Sequence, residues 1–416
     1  MRNKVVEEAK ALQAQIVNDR RFLHGIPEVG MELPESAAYI EKRLHEMGIQ
    51  THRCGVLREE MQKKYAAMGI TGMKTSTGVV ATLGHGSPCV LLRADFDALP
   101  MKEENDLPFR STRNASHMCG HDSHAAMLLG AAQILKQHES ELHGTVKLMF
   151  QPGEELGYGS QTMVEDGLLE NPKVDAAFGL HIMSTVPIGK VRYTSGVTSA
   201  SLDTFSLKIQ GKGGHTSAPQ DCIDPLMIAN QVYTAVNLLM TREVNPQASA
   251  TLSCGTMHAG TASNILPDTA EMQFGLRTYD IEAREHILQR VPELVDAYVK
   301  AWRGTYQLDE FHCPSTFTDE ALLQRLLPAM EAVAGKENLE GGAPMSGTED
   351  FSYIAQAVPS VFAVLGAGGP DWCPHHNPHM VIDESVFWMG TALHVACAMQ
   401  YLNTFHAKAE EGSEPA

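Results

Sequence analysis

Apolar positions along this chain fall into two periods that alternate through its first half. Residues 4–24 carry them at helical spacing, and Pro34-Glu35-Ser36 opens a second helix that runs to about Met47 and closes at Gly48. Cys89 to Ala94 (C-V-L-L-R-A) is a short apolar run that ends in Asp95 and Asp97. Asp122 to about Gln137 is rich in alanine and leucine and reads as a buried helix, while Thr145–Phe150 and Val174–Leu180 read as buried strands. This alternation predicts an α/β layer structure with a mixed, mostly parallel sheet.

From about Ser201 to Leu308 the pattern changes. Leu202–Gln210 alternates with period two and is followed by G-K-G-G-H; Pro225–Met240 is helical. Ala248–His258 and Thr269–Tyr279 read as strands, Ile281–Ala301 as an amphipathic helix, and Gly304–Leu308 as a last strand. The β-α-β-β-α-β order predicts a small ferredoxin-like α+β domain. The earlier pattern then resumes, with a strand at Ser360–Leu365 and a closing helix at Glu384–Asn403. The expected organisation is therefore a domain of residues 201–308 inserted into a discontinuous one of 1–200 and 309–416. The polar tail Ala407–Ala416 is expected to be disordered.

A length of 416 residues fits this two-domain arrangement. Lys4, Glu7, Glu8 and Lys10 interrupt any apolar leader, and no run of 18 apolar residues offers a membrane span. A cytoplasmic location is the expectation. A net charge of −18 disfavours nucleic acid or an anionic membrane as partner, but an anionic small substrate responds to local charge instead. The eight cysteines lie at 54, 89, 119, 222, 254, 313, 373 and 397 without paired spacing, which favours reduced, buried thiols. Cys119 stands apart because of its neighbours.

Those neighbours read H-M-C-G-H-D-S-H, and further on come Q-P-G-E-E after an apolar strand and F-G-L-H at the end of another. Metal-assisted hydrolysis needs soft or borderline ligands and one unligated carboxylate to take a proton from water. Glu154 and Glu155 divide those jobs if one binds the ion and the other stays free. In open α/β sheets ligands bind beyond the carboxyl ends of the strands. Asp95 and Asp97 follow one strand, Glu154 and Glu155 the next, and His181 is expected to end a third; Cys119 and His121 precede a helix in a turn eased by Gly120. His375 and His376 lie on a late loop. Alone, each feature has a bland reading: a surface histidine, a buried small thiol, a solvated acidic pair. Five such segments arranged in step with the fold favour a metal site.

The motifs already quoted, together with G-K-G-G-H, S-N-I-L-P-D, S-G-T-E-D-F, H-H-N-P and the opening R-R-F-L-H-G-I-P-E, resemble the metal-dependent amidohydrolases. That family includes aminoacylases, hippurate hydrolase and the plant indole-acetyl-amino-acid hydrolases, and the similarity spans nearly the whole chain in order. The resemblance implies metal ligation by Cys119, His121, Glu155, His181 and His376, with Glu154 as general base. It implies a metallo-aminopeptidase/carboxypeptidase-like catalytic domain and an inserted lid that forms homodimers or a tetramer. It places His215, Asn264 and Arg277 at the substrate, with His215 also a donor to the oxyanion. Asp97 is expected to support catalysis as an outer hydrogen-bond partner of a ligand. In dinuclear relatives the matching segment reads His-x-Asp; here R-A-D-F-D lacks that histidine. Leu57–Lys74 is longer than the usual connection.

The expected activity is hydrolysis of N-acyl amino acids by one or two divalent ions, for which zinc, manganese, cobalt and nickel all suit a Cys/His/Glu set. Within the same mechanism the alternatives are a dipeptidase and an N-acetyl-diaminopimelate deacetylase. From other classes come a Cys119 nucleophile with His121 or His124 as base, and a silent ligand-binding protein.

Overall fold

A computed structural model of the chain describes residues 2–56, 59, 62, 63 and 77–411; most of Leu57–Lys74 lies outside them. Two compact units emerge, Met1–Thr198 with Thr316–Pro344 and Glu349–Ala416, and Ser199–Ser315 with Met345–Thr348.

The first strands are β1 (Thr51–Cys54), β2 (Gly78–Gly84), β3 (Cys89–Asp95), β4 (Thr145–Gln151), β5 (Ala176–Pro187), β6 (Val191–Tyr193) and β7 (Gly196–Val197). The smaller unit contributes β8 (Leu202–Gln210), β9 (Gly214–His215), β10 (Ala250–Ala259), β11 (Ile265–Leu266), β12 (Thr269–Thr278) and β13 (Thr305–Cys313). The chain ends in the larger unit with β14 (Phe317–Thr318), β15 (Leu339–Gly341) and β16 (Ser360–Gly368).

In the larger unit an eight-stranded sheet runs β1-β2-β4-β3-β5-β16-β6-β15. Its centre, β4-β3-β5-β16, is wholly parallel, and antiparallel pairs flank it. Every residue of β3, β4 and β16 is buried, as expected of parallel strands covered on both faces. Helices Arg2–Gly25, His121–Gln137 and Phe387–Glu411 pack on one another, and the last two also meet β3. The helix His121–Gln137 is apolar nearly all round because it lies inside this layer.

Three boundaries differ from the sequence expectation by more than a turn or so of chain. β5 does not stop at His181 but continues to Pro187, because β16 pairs with it along that length. β3 pairs only with Ala176–Gly179, so His181 stands mid-strand on the stretch that has outrun β3. β13 extends to Cys313 through its pairing with β8. The closing helix continues to Glu411 into the tail expected to be disordered; Ala407-Lys408-Ala409-Glu410-Glu411 are all good helix formers.

The smaller unit has a four-stranded antiparallel sheet in the order β10-β12-β8-β13. Helices Pro225–Arg242 and Ile281–Ala301 pack against it over a core that includes Phe205, Ile209, Val232, Phe274 and Val291. Asp224 and Asp280 cap these helices by accepting backbone N–H groups of the first turn. A two-stranded ribbon pairs His215 of β9 with Ile265 of β11. Among the described residues no helix is long and apolar enough to cross a membrane.

Candidate metal centre

The carboxyl ends of β3 and β4 deliver acidic residues to one place in the larger unit. After β4, Pro152 and Gly153 reverse the chain into a single 3-10 turn, Glu154–Leu156. Gly153 has φ +70°, and a Cβ there would lie 2.2 Å from Met31 Sδ, so the turn needs glycine on two counts. Asp97, just beyond β3, accepts the backbone N–H groups of Glu154 and Glu155, both at 3.1 Å. Gly120, at φ +85°, turns the chain from Cys119 into the helix that His121 begins.

Hydrogen bonds on the outer side of two histidines decide which nitrogen faces inward. His121 Nδ1 lies 3.1 Å from the Asp97 carbonyl and 3.3 Å from its carboxylate, both acceptors, so Nδ1 carries the proton. Nε2 is buried without a hydrogen-bond partner, 3.7 Å from Glu154 Oε2 and 3.8 Å from Asp95 Oδ2. His181 Nδ1 donates to the Ile182 carbonyl at 2.5 Å, which turns its Nε2 toward Cys119 Sγ at 3.5 Å. Ligand atoms of Cys119, His121 and Glu155 lie within 4.8 Å of one another. His376, held at φ +62° and donating its N–H to the Met118 carbonyl, brings Nε2 to 3.3 Å from Glu155 Oε1. That oxygen is buried and makes no well-aimed hydrogen bond.

One thiol, three imidazoles and one carboxylate thus converge, two of them with orphaned buried atoms. The charge balance agrees. Burial would lower the His121 pKa, yet Asp95, Cys119 and Asp97 drive it well above its ordinary value. Burial, Glu349 and Glu155 together push Glu154 well above the usual carboxylate range. A site with this excess of negative and lone-pair donors fits a divalent cation held by Cys119, His121, Glu155, His181 and His376.

Asp97 holds His121 on one side and the Glu154–Glu155 turn on the other, so it positions both a candidate ligand and the candidate base. Asp95 works through His124: Nδ1 of that ring donates to Asp95 at 2.5 Å, and Nε2 accepts the N–H of Ile182 at 2.8 Å. His124 thereby pins β5 beside His181 and has no lone pair left to activate Cys119. Cys119 itself is 8% exposed, and burial pushes its thiol well above the ordinary value, which disfavours the cysteine-nucleophile alternative.

Sequence reasoning gave no role to Arg93, Glu349 or Asp350. Arg93 is wholly buried and reaches Asp95 at 2.7 Å, Glu349 at 2.8 Å, Asp350 at 3.2 Å and Gln151 at 2.8 Å. Glu349 and Asp350 share a 4.8 Å cluster with Glu154. Burial raises Asp350 to about 8 even with Arg93 opposing it. The signal was available: an arginine inside C-V-L-L-R-A-D, a strand otherwise apolar, requires buried partners. The opening R-R-F-L-H stretch is also structural. His24 bridges Asp122 at 2.7 Å and Glu103 at 3.0 Å, and Arg20 reaches Asp122 at 2.8 Å, tying the first helix to the one that begins at His121.

In the smaller unit the β9–β11 ribbon sets His215 beside Asn264, whose carbonyl accepts the N–H of Thr216 at 3.3 Å. His215 is exposed, and its Nδ1 accepts from Ser217 N–H at 3.1 Å, which leaves the proton on Nε2. Arg277 lies on β12 and is hydrogen-bonded to Thr348, away from the ribbon in sequence.

The model of peptidase family M20/M25/M40 matches residues 91–400. N-acetyl-L-cysteine deacetylase of Bacillus subtilis (strain 168) is 36% identical over 380 residues, covering 90% of this chain and 85% of the relative. IAA-amino acid hydrolase ILR1-like 4 of Arabidopsis thaliana is 35% identical over 398 residues, covering 93% and 86%. The crystal structure of the Bacillus subtilis YXEP protein, described as a dinuclear metal-binding peptidase of the M20 family, is similar with a TM-score of 0.74 at 28% identity, over 95% and 99% of the two chains. With a family match across three quarters of its length and relatives aligned nearly end to end, the chain belongs to peptidase family M20/M25/M40.

Proposed function

We propose that this protein hydrolyses the amide bond of N-acyl amino acids, releasing a carboxylic acid and a free amino acid. The observation that carries this reading is the donor set of Cys119, His121, Glu155, His181 and His376 with a separate buried carboxylate, Glu154, beside it. The relatives named above, an N-acetyl-L-cysteine deacetylase and an IAA-amino acid hydrolase, support the substrate class.

Bound in that donor set, one or two divalent ions would supply Lewis acidity toward water and the scissile carbonyl. Glu154 takes the proton of the attacking water and returns it to the leaving amine nitrogen. Asp97 keeps His121 and the Glu154–Glu155 turn in register while the proton moves. His215, with its proton on Nε2, donates to the oxyanion, and Asn264 and Arg277 bind the amide and the free carboxylate of the substrate. The smaller unit acts as a ferredoxin-like lid and as the dimerisation surface of a homodimer, or of a tetramer built from it. β10 supports this, since it is an edge strand of its sheet with Met257 exposed.

The direct test is a hydrolysis screen of N-acetyl, N-benzoyl and longer N-acyl amino acids, with dipeptides and N-acetyl-diaminopimelate as further arms. Chelated protein should be inactive, and adding back zinc, manganese, cobalt or nickel should restore cleavage of at least one N-acyl amino acid. Activity that survives chelation but not thiol alkylation would sink the metal mechanism.

Two variants test the proposed lid roles. His215→Ala should lower kcat on the order of 10²–10³-fold, the usual cost of one oxyanion donor. Arg277→Ala should instead raise KM for carboxylate-bearing substrates more than for their amides. Equal losses on both substrates would remove Arg277 from carboxylate recognition.

A further inference from the structure

The loop Cys373–His376 is strapped down at three points. Ser184 Oγ donates to the Cys373 carbonyl at 2.8 Å, Ser184 N–H donates to His375 Nε2 at 3.0 Å, and His376 N–H donates to the Met118 carbonyl at 2.8 Å. The second of these settles the chemistry of His375. A backbone N–H can only be accepted by a lone pair, so Nε2 is unprotonated and occupied, and the single ring proton sits on Nδ1. Nδ1 is shielded from solvent and has no hydrogen-bond partner.

An orphaned N–H inside a protein points to an acceptor. A ring nitrogen of His375, one of His181 and Cys119 Sγ lie within 4.8 Å of one another. The His181 Nε2 lone pair is directed into the donor set, because its Nδ1 donates to Ile182. A thiolate differs: it keeps further lone pairs after giving one to an ion.

We infer that His375 is a positioning residue whose Nδ1–H donates a hydrogen bond to the Cys119 thiolate when Cys119 binds the ion. This rests on the proposed role of Cys119 as a ligand. The neighbouring histidines of the H-H-N-P motif then have different tasks: His376 offers a lone pair to the ion, and His375 offers a proton to the sulfur beside it. Such an outer partner fixes the orientation of the sulfur and draws charge from it.

The test uses cobalt(II) alone as probe, titrated into chelated full-length protein. It compares the wild type with His375→Asn and His375→Gln. Asparagine places a donor where Nδ1 stood; glutamine reaches Ser184 N–H but leaves the Nδ1 position empty. His375→Gln should weaken cobalt binding by about 10–100-fold and move the sulfur-to-cobalt charge-transfer band to lower energy. His375→Asn should keep both near wild type. An unmoved band and unchanged affinity in His375→Gln would overturn the inference. So would impairment of His375→Asn beside a normal His375→Gln, which would make His375 merely an anchor for Ser184. The premise fails separately: without a sulfur-to-cobalt band in the wild type, Cys119 is not a ligand. Thermal melts of the chelated proteins show whether each variant is folded.

Discussion

Glu154→Gln should lower kcat by about two to four orders of magnitude, the usual range for loss of a general acid/base, with metal content unchanged. The substitution keeps the shape of the side chain and removes its capacity to hold a proton. Its surroundings make that capacity matter: Glu154 is 9% exposed, 3.7 Å from His121 Nε2, and clustered with Glu349 and Asp350. Water outside the site is a poor substitute for a carboxylate so enclosed. Glu155→Gln, at the neighbouring position, should lose metal instead. Measuring bound metal alongside kcat separates the two. Loss of metal from Glu154→Gln, with retention in Glu155→Gln, would show the two glutamates to be assigned in reverse.

Arg93→Met should destabilise the fold by about 3–5 kcal/mol, the range for removing one partner of a buried ion pair. Three carboxylates, Asp95, Glu349 and Asp350, and the Gln151 amide all depend on this guanidinium. Burial pushes the Asp95 pKa up, and Arg93, His121 and His124 hold it well below its usual value. Methionine fills similar volume but leaves those carboxylates without their cation. Urea denaturation of chelated protein measures the loss free of any contribution from metal binding. Adding Glu349→Gln to Arg93→Met should recover part of it. A loss under about 1 kcal/mol would show that the acids compensate by sharing protons and that the arginine is dispensable.

Legibility in the sequence tracked how local each determinant is. Leu202–Gln210 and Ile281–Ala301 have the same bounds in the sequence reading and in the structure, because period and caps lie within each segment. The end of β5 was misplaced because Ile182–Pro187 mixes polar and apolar residues, and its strand state comes from pairing with β16. β13 was cut short for the same reason, since Asp309, Glu310 and His312 look like loop until β8 lies beside them. Among candidate site residues, Cys119 with His121 and Glu154 with Glu155 stand out because each pair shares one short turn. Glu349 and Asp350, which meet Arg93, did not, because Glu349 lies 256 residues away along the chain. No spacing rule reaches that far. A charge inside an apolar strand says that partners exist without saying which.

The carboxylate of Asp97 has a mechanical consequence. It joins the His121 ring to the backbone of Glu154 and Glu155, so a candidate ligand, the candidate base and a second candidate ligand share one mount at the end of β3. Parts fixed to a common mount drift together, and their relative alignment survives movements of the chain around them. Productive proton transfer tolerates little misplacement, so such shared drift protects the chemistry while the rest of the molecule breathes. It also separates two kinds of evolutionary change. Substitutions that reshape a substrate pocket elsewhere leave the mount untouched, and one hydrolytic core can be carried from substrate to substrate without being retuned each time.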